Sequence, residues 1–263
     1  MTHIVNDFQI NIATANGTGS QSANLILLHT MFNMGVPVSG KNLFPSNISG
    51  LPTWYVLRVS DHGYQAPGNR TNIQILMNKA TWDQDIADCL PDTLIIFNED
   101  AKMPVERDDC VTIGLPMTKM ARGLNSKLAK MIANMVYVGI LAEILELDEG
   151  ALDEALENQF KGKSKAIELN LEAVKIGRDF VKENVDLDSI PFRIEARDRD
   201  ENKFLVEGNE AVALGCHYGG VGLLSWYPIT PSSSLAEGVI AYIPELRENE
   251  DGEQYCAVVQ AED

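Results

Sequence analysis

The sequence predicts an α/β protein, and three observations carry that reading. Short apolar runs of strand length recur through the first part of the chain. From Leu124 onward the apolar residues recur at helical spacing instead. The final stretch reads as strand, loop, helix and strand in succession. Strands mixed with helices, then a run of helices, predict an α/β domain with a C-terminal helical cap, followed by the start of a second α/β unit.

The elements follow in order. Asp7 to Ala15 carries Phe8, Ile10 and Ile12 at alternate positions, the period of a strand. The glycine-containing turn Gly17-Thr18-Gly19 comes next. Ala23 to Met34 is rich in Leu, Ile and Met and is expected to form a helix closed by Gly35. Tyr55 to Asp61 alternates again. Ile73 to Met77, Thr93 to Phe97 and Cys110 to Leu115 are short apolar runs suited to buried strands. Leu124, Leu128, Met131, Met135 and Val138 predict one helix continuing to Leu147. Ala151 to Phe160 and Ser164 to Asn184 read as two more helices, the second with Ile167, Leu171, Val174 and Val181 on one face. Domain boundaries are expected at 1–184, with a charged linker at 185–205 and a second unit at 206–263. The linker is expected to hold a short edge strand at Phe192 to Ala196.

In the second unit, Gly208-Asn209-Glu210 precedes a helix ending at Gly219-Gly220. Leu223 to Tyr227 is a short apolar run stopped by Pro228 and Pro231. Ser234 with Glu237 fits a capping box, and Leu235, Val239 and Ile243 mark a helix face. Pro244 is expected to end that helix. After a polar loop from Arg247 to Glu253, Tyr255, Ala257 and Val259 resume a strand that stops at Glu262. If the two strands are parallel, Thr230 and Glu262 lie at the same carboxyl edge, where open α/β sheets bind ligands. A doubly wound sheet needs more strands, so the chain is expected to be truncated within this domain.

Composition narrows the function. At 263 residues the chain can hold one large or two ordinary domains, and 45% hydrophobic with 22% charged residues is ordinary for a soluble globular protein. A formal net charge of -17 argues against nucleic acid or an anionic membrane as partner. There is no apolar run long enough for a transmembrane span and no basic-then-apolar leader, so a cytoplasmic location is expected. Cys89, Cys110, Cys216 and Cys256 have no C-x-x-C spacing, so neither a zinc site nor an iron–sulfur run is written here. His3, His29, His62 and His217 are scattered, with no ligand spacing between any pair.

Three places are candidates for a site. Gly17-x-Gly19 is half a dinucleotide fingerprint; the third glycine position is Ser22 and the expected downstream acid is missing, so a tight turn is the better reading than a nicotinamide site. Thr230 sits between two prolines, with its hydroxyl and the N–H groups of the following helix at one edge. That arrangement fits either a helix-entry turn or an anion site for a carboxylate. Glu262 is a solvated strand end by position alone. Trp54 and Tyr55 fit a structural or subunit-contact role.

Tyr227-Pro228-Ile229-Thr230-Pro231-Ser232-Ser233, followed by Gln260-Ala261-Glu262-Asp263, resembles the pyrimidine-binding domain of the 2-oxoacid:ferredoxin oxidoreductases. Phe44-Pro45-Ser46-Asn47-Ile48-Ser49-Gly50-Leu51-Pro52-Thr53-Trp54-Tyr55, with Arg58-Val59-Ser60, resembles the family's gamma domain. Gly17-Thr18-Gly19-Ser20-Gln21 and Asn134-Met135-Val136-Tyr137-Val138-Gly139 fit that domain too, although the family's loop carries more glycine. The resemblance implies a Rossmann-like gamma domain with C-terminal helices, then the first part of a thiamine-diphosphate pyrimidine-binding domain. It is closest to the alpha subunit of the 2-oxoglutarate type.

The implied activity is coenzyme A-dependent oxidative decarboxylation of a 2-oxoacid, with electrons delivered to ferredoxin. The resemblance gives Glu262 to N1′ of the aminopyrimidine of thiamine diphosphate, where it favours the imino tautomer. It gives Tyr227, Pro228 and Ile229 to the cofactor and Thr230 to the substrate. Mg2+, the diphosphate site and a 4Fe–4S cluster fall to a beta partner subunit, so this polypeptide alone is expected to be inactive. A pyruvate or other 2-oxoacid specificity, a non-catalytic assembly subunit, and a nucleotide-binding Rossmann enzyme are the alternatives.

Overall fold

A computed structural model describes residues 3–45, 48–198 and 202–261. The chain forms two compact units, Met1–Asp200 and Glu201–Asp263.

The first unit is built on β2 (Asp7–Ala15), flanked by β4 (Pro52–Ser60) on one side and β5 (Ile73–Leu76) on the other. β3 (Val38–Leu43) extends the sheet beyond β4; β6 (Leu94–Asn98) and β7 (Val111–Leu115) extend it beyond β5. The order β3-β4-β2-β5-β6-β7 is mixed: β4 runs antiparallel to β2 and β3, while β2, β5, β6 and β7 are mutually parallel. Central position explains the side chains. Phe8, Ile10 and Ile12 on β2 are buried, and every residue of β5 is buried. A strand covered on both faces reads as a continuous apolar run, which is why β5 and β6 are legible from composition. β3 is not, because it is an exposed edge strand carrying Gly40 and Lys41 rather than alternating apolar residues.

Helices α1 (Ser20–Asn33), α4 (Ala129–Ile144), α5 (Glu149–Gln159) and α6 (Ser164–Asn184) pack together beside the sheet, and α2 (Trp82–Ala87) follows β5. α4 is buried nearly all round, the mark of an interior helix. The helix expected from Leu124 to Leu147 is shorter at both ends, running as α4 from Ala129 to Ile144, and a separate, unexpected helix precedes it. α3 (Met117–Leu124) ends before Asn125, whose Oδ1 accepts the N–H groups of Lys127 at 3.1 Å and Leu128 at 3.3 Å. An asparagine that caps the next turn competes with helix continuation, so the apolar spacing survives across a break.

The expected linker is also corrected in its first part. Ile190, Phe192 and Ile194 are buried, and β8 (Phe192–Arg193) pairs in parallel with β1 (Ile4–Val5). The buried Arg193 guanidinium donates to the carbonyls of Leu187, Ile190 and Phe192 and pairs with Glu146 at 2.7 Å. Arg197 N–H donates to Met34 O at 2.8 Å, and its guanidinium pairs with Asp61 at 2.9 Å. The charges that suggest a solvated linker alternate with apolar residues that dock on the first unit.

The second unit holds α7 (Gly208–Tyr218), β9 (Leu223–Trp226), α8 (Ser233–Leu246) and β10 (Ala257–Gln260). α7 and α8 pack through Ala213, His217, Ala236, Val239 and Ile243. Pro244 does not end α8, which runs two residues further to Leu246. The capping box is not formed either: Ser234 Oγ donates to Pro231 O at 3.2 Å and accepts from Asn209 Nδ2 at 2.7 Å. No helix among the described residues is long and apolar enough to cross a membrane.

Candidate functional site

The edge of the second unit follows from its register. β9 and β10 are parallel, with Leu223 opposite Ala257 and Trp226 opposite Gln260. Ala261 N–H donates to Trp226 O at 2.7 Å, so the pairing reaches the carboxyl ends of both strands. The segment that leaves β9, Tyr227 to Ser232, therefore departs from the edge at which β10 ends. Ser232 Oγ donates to Ile229 O at 2.8 Å, Ser233 N–H donates to Ile229 O at 3.1 Å, and Asn209 Nδ2 donates to Pro231 O at 2.8 Å. These bonds fix the turn and leave the Thr230 hydroxyl exposed, with no hydrogen bond among the described residues. Tyr227, Pro228 and Ile229 are exposed beside it. Glu262 and Asp263 lie outside the described residues.

A second site is assembled at the carboxyl end of β2. Gly17 and Gly19 adopt φ of 79° and 81°, the left-handed region open to glycine, and they turn the chain from β2 into α1. The loop is braced by α4. Asn134 Nδ2 donates to Thr18 O at 2.7 Å, and the Met131 side chain fills the space where a Cβ on Gly19 would stand. Below the loop, Thr14 Oγ1 donates to Ser20 Oγ at 2.9 Å, and Tyr137 OH donates to Asn24 Oδ1 at 2.8 Å. A cavity of about 440 Å³ opens here, lined by Asn16, Ser20, Gln21 and Asn24 with Asn42 and Thr53. An adjoining cavity of about 360 Å³ shares Gly17 and Met131 and adds Arg122, Lys127 and Lys130. Three cations converging on one cleft stand out in a chain of net charge -17. Neutral donors at one end, cations at the other and a helix N-terminus between them suit an extended anion.

Trp54 belongs to a third cavity, about 230 Å³, on the face of the sheet that carries Gln9, Asn11 and Gln74. Its indole N–H donates to Asp85 Oδ1 at 2.7 Å, and Thr81 donates to Asp85 Oδ2 at 2.7 Å. Burial nonetheless pushes the Asp85 carboxyl above the usual range. Cys89 is buried and its thiol is pushed up to about 12, chiefly by desolvation, so it is a poor nucleophile. Among the described residues no group of three His, Cys, Asp or Glu side chains could hold a metal ion.

The Tyr227 to Thr230 turn lies at the edge foreseen from its prolines and the flanking strands. Asn24, Tyr137 and the basic trio were not foreseen. The signal available was the polar Asn134 at helical spacing from Met131 and Tyr137 in an otherwise apolar helix.

The sequence profile of the pyruvate ferredoxin/flavodoxin oxidoreductase family matches residues 9–180. The subunit alpha of 2-oxoacid:ferredoxin oxidoreductase 2 from Aeropyrum pernix is 25% identical over 88% of this chain and 42% of its own length. The subunit alpha of 2-oxoacid:ferredoxin oxidoreductase 1 from Sulfurisphaera tokodaii is 26% identical over 96% of this chain and 46% of its own. The chain thus spans less than half the length of these curated relatives. Among solved structures, 2-oxoglutarate:ferredoxin oxidoreductase from Magnetococcus marinus, with 2-oxoglutarate, coenzyme A and succinyl-CoA bound, superposes with a TM-score of 0.83 at 26% identity. That match covers 98% of this chain and 44% of the other. The gamma subunit of a keto/oxoacid ferredoxin oxidoreductase from Geobacter sulfurreducens shares the fold, with a TM-score of 0.56 at 16% identity over 67% of this chain and 99% of its own. With the family profile covering most of the first unit, the chain belongs to the pyruvate ferredoxin/flavodoxin oxidoreductase family.

Proposed function

We propose that the chain is the gamma domain and the start of the pyrimidine-binding domain of a 2-oxoacid:ferredoxin oxidoreductase alpha subunit, with 2-oxoglutarate as the substrate. The observation that carries this reading is the parallel pairing of β9 and β10. It brings the exit of β9, with Thr230, to the edge at which β10 runs toward Glu262. The residues at that edge fit the aminopyrimidine half of thiamine diphosphate: a hydroxyl without a partner, exposed apolar side chains at Tyr227 and Ile229, and a carboxylate next in sequence. When bound, thiamine diphosphate supplies a nucleophilic thiazolium carbon for attack on the ketone of a 2-oxoacid. In this reading Glu262 holds a proton at N1′ of the aminopyrimidine. Thr230 donates to the substrate carboxylate, and Tyr227, Pro228 and Ile229 pack on the pyrimidine. The diphosphate, Mg2+, the 4Fe–4S cluster and the ferredoxin contact fall to a beta subunit.

The cleft at the β2–α1 loop supports a second role in the same enzyme, seating the phosphates of coenzyme A. Arg122, Lys127 and Lys130 supply the charge and the N-terminus of α1 supplies N–H groups. Coenzyme A and succinyl-CoA are bound in the 2-oxoglutarate enzyme that this chain superposes on.

The test is Glu262→Gln in the assembly with its beta subunit. Most affinity for the cofactor would come from the diphosphate and its metal, so binding should hold to within a few fold. A neutral amide still bonds N1′ but cannot place a proton there, so hydrogen–deuterium exchange at thiazolium C2 should slow by about 10² to 10⁴. Exchange as fast as in the parent would remove Glu262 from this role. An assembly that forms but binds no thiamine diphosphate would favour the scaffold reading.

A further inference from the structure

The inference rests on the reading that the β2–α1 cleft receives the diphosphate of an anionic ligand. We infer that Tyr137 is a positioning residue for that ligand, acting through Asn24, whose carboxamide it turns so that the amide nitrogen faces the cleft. Asn24 lies in the second turn of α1, lines the cavity and is only 2% exposed. Its Oδ1 is taken by the Tyr137 hydroxyl at 2.8 Å, and its Nδ2 has no hydrogen-bond partner among the described residues. That nitrogen is not sealed from solvent like the buried orphan donors elsewhere in the chain, so it is open to the cavity, where a ligand acceptor would take the place of solvent.

Tyr137 is suited to this task. It is fully buried, and burial drives its pKa upward, so the hydroxyl keeps its proton and remains a donor at any physiological pH. A donor on Tyr137 selects the oxygen of Asn24 and leaves the nitrogen for the cavity. The same helix face holds the loop itself. Asn134, one turn before Tyr137, donates to Thr18 O, and Met131, one turn earlier still, packs on Gly19. Spacing of three along α4 puts these residues on one face. α4 thus fixes the loop backbone and the donor together, while Arg122, Lys127 and Lys130 supply charge from the neighbouring cavity.

Both coenzyme A and thiamine diphosphate carry a diphosphate. The experiment is therefore calorimetric titration of the full chain with inorganic pyrophosphate, coenzyme A and thiamine diphosphate in separate runs. Tyr137→Phe frees Asn24 Oδ1 to face the anion, and binding of pyrophosphate and coenzyme A should weaken by about tenfold. Asn24→Ala should weaken it similarly. The double variant should be no worse than either single one, because Tyr137 acts only through Asn24. Asn24→Asp keeps an acceptor for Tyr137 but meets the ligand with a like charge, and it should abolish binding. Unchanged affinity in Tyr137→Phe, additive losses in the double variant, or undiminished binding by Asn24→Asp would each overturn the inference while leaving the cleft assignment intact. A parent chain that binds none of the three ligands overturns both. Binding of thiamine diphosphate without coenzyme A would keep the positioning role and overturn the coenzyme A placement.

Discussion

At Asp85, hydrogen bonding and burial pull in opposite directions. Trp54 and Thr81 each donate to one carboxylate oxygen at 2.7 Å, which favours the ionised form. The side chain is 5% exposed, and desolvation outweighs both bonds, with Asp88 adding a smaller push the same way. The folded state therefore holds this proton more tightly than the unfolded chain, whose ordinary value is 3.8. The stability linked to it is fully present below that value and is lost as pH rises through the higher folded value. Asp85→Asn removes the titration and keeps an acceptor for Trp54. Urea unfolding should show the variant gaining on the parent as pH rises from about 3 to about 7. A difference that stays constant across that range would contradict the assignment. Legibility at this scale follows chain distance. Pro228, Thr230 and Pro231 form a local signal that reads directly from the sequence. Asn24 and Tyr137 meet only because α1 packs against α4, and no local period announces a contact across 113 positions.

Elements were more legible than contacts between them. The helix Ser164 to Asn184 forms with those bounds, because its apolar face repeats without interruption. β2, β5, β6 and β7 lie within a residue of their expected limits and β4 begins three residues earlier than expected, whereas β3, α3 and its separation from α4 have no counterpart in the expectation. What sequence spacing could not show is how closely α4 and α6 cross. A Cβ added at Gly139 would lie 2.0 Å from Val174 O, and one at Gly177 would lie 2.3 Å from Val136 O. Two glycines, one on each helix, therefore let backbone meet backbone at the crossing. Gly139→Ala would force the helices apart and should destabilise the first unit by about 1–3 kcal/mol, the usual range for overpacking. Gly123→Ala is the control. It lies in α3, where an added Cβ meets nothing within 4 Å, and it should be neutral or stabilising by about 0.5–1 kcal/mol. Urea midpoints that shift alike in the two variants would mean the crossing tolerates separation.

At the scale of the whole molecule, the change of composition points to a boundary after residue 184, whereas the first compact unit runs to Asp200. Charge density around Asp186, Asp188, Glu195 and Arg197 suggested a solvated tether. The structure instead holds residues 187 to 197 by a strand pairing, by buried Ile190, Phe192 and Ile194, and by the Arg193 and Arg197 bonds to the first unit. Proteases need several residues of extended chain in their active sites, so a segment bound in this way resists cleavage until the unit itself opens. Residues 204 to 207 have no strand pairing or helix to hold them, and Phe204 is 71% exposed. Limited digestion with chymotrypsin should therefore cut first after Phe204. The N-terminal product should retain Arg197 and unfold as cooperatively as the intact chain does in this region. Substituting Arg193 by Ala removes the donor to the carbonyls of Ile144, Leu187, Ile190 and Phe192, at a cost of about 1–3 kcal/mol for such a loss. In that variant new cuts should appear between residues 185 and 198. If the parent chain is cut there first, the docked segment is opening on its own, and the first unit ends where the change in composition placed it.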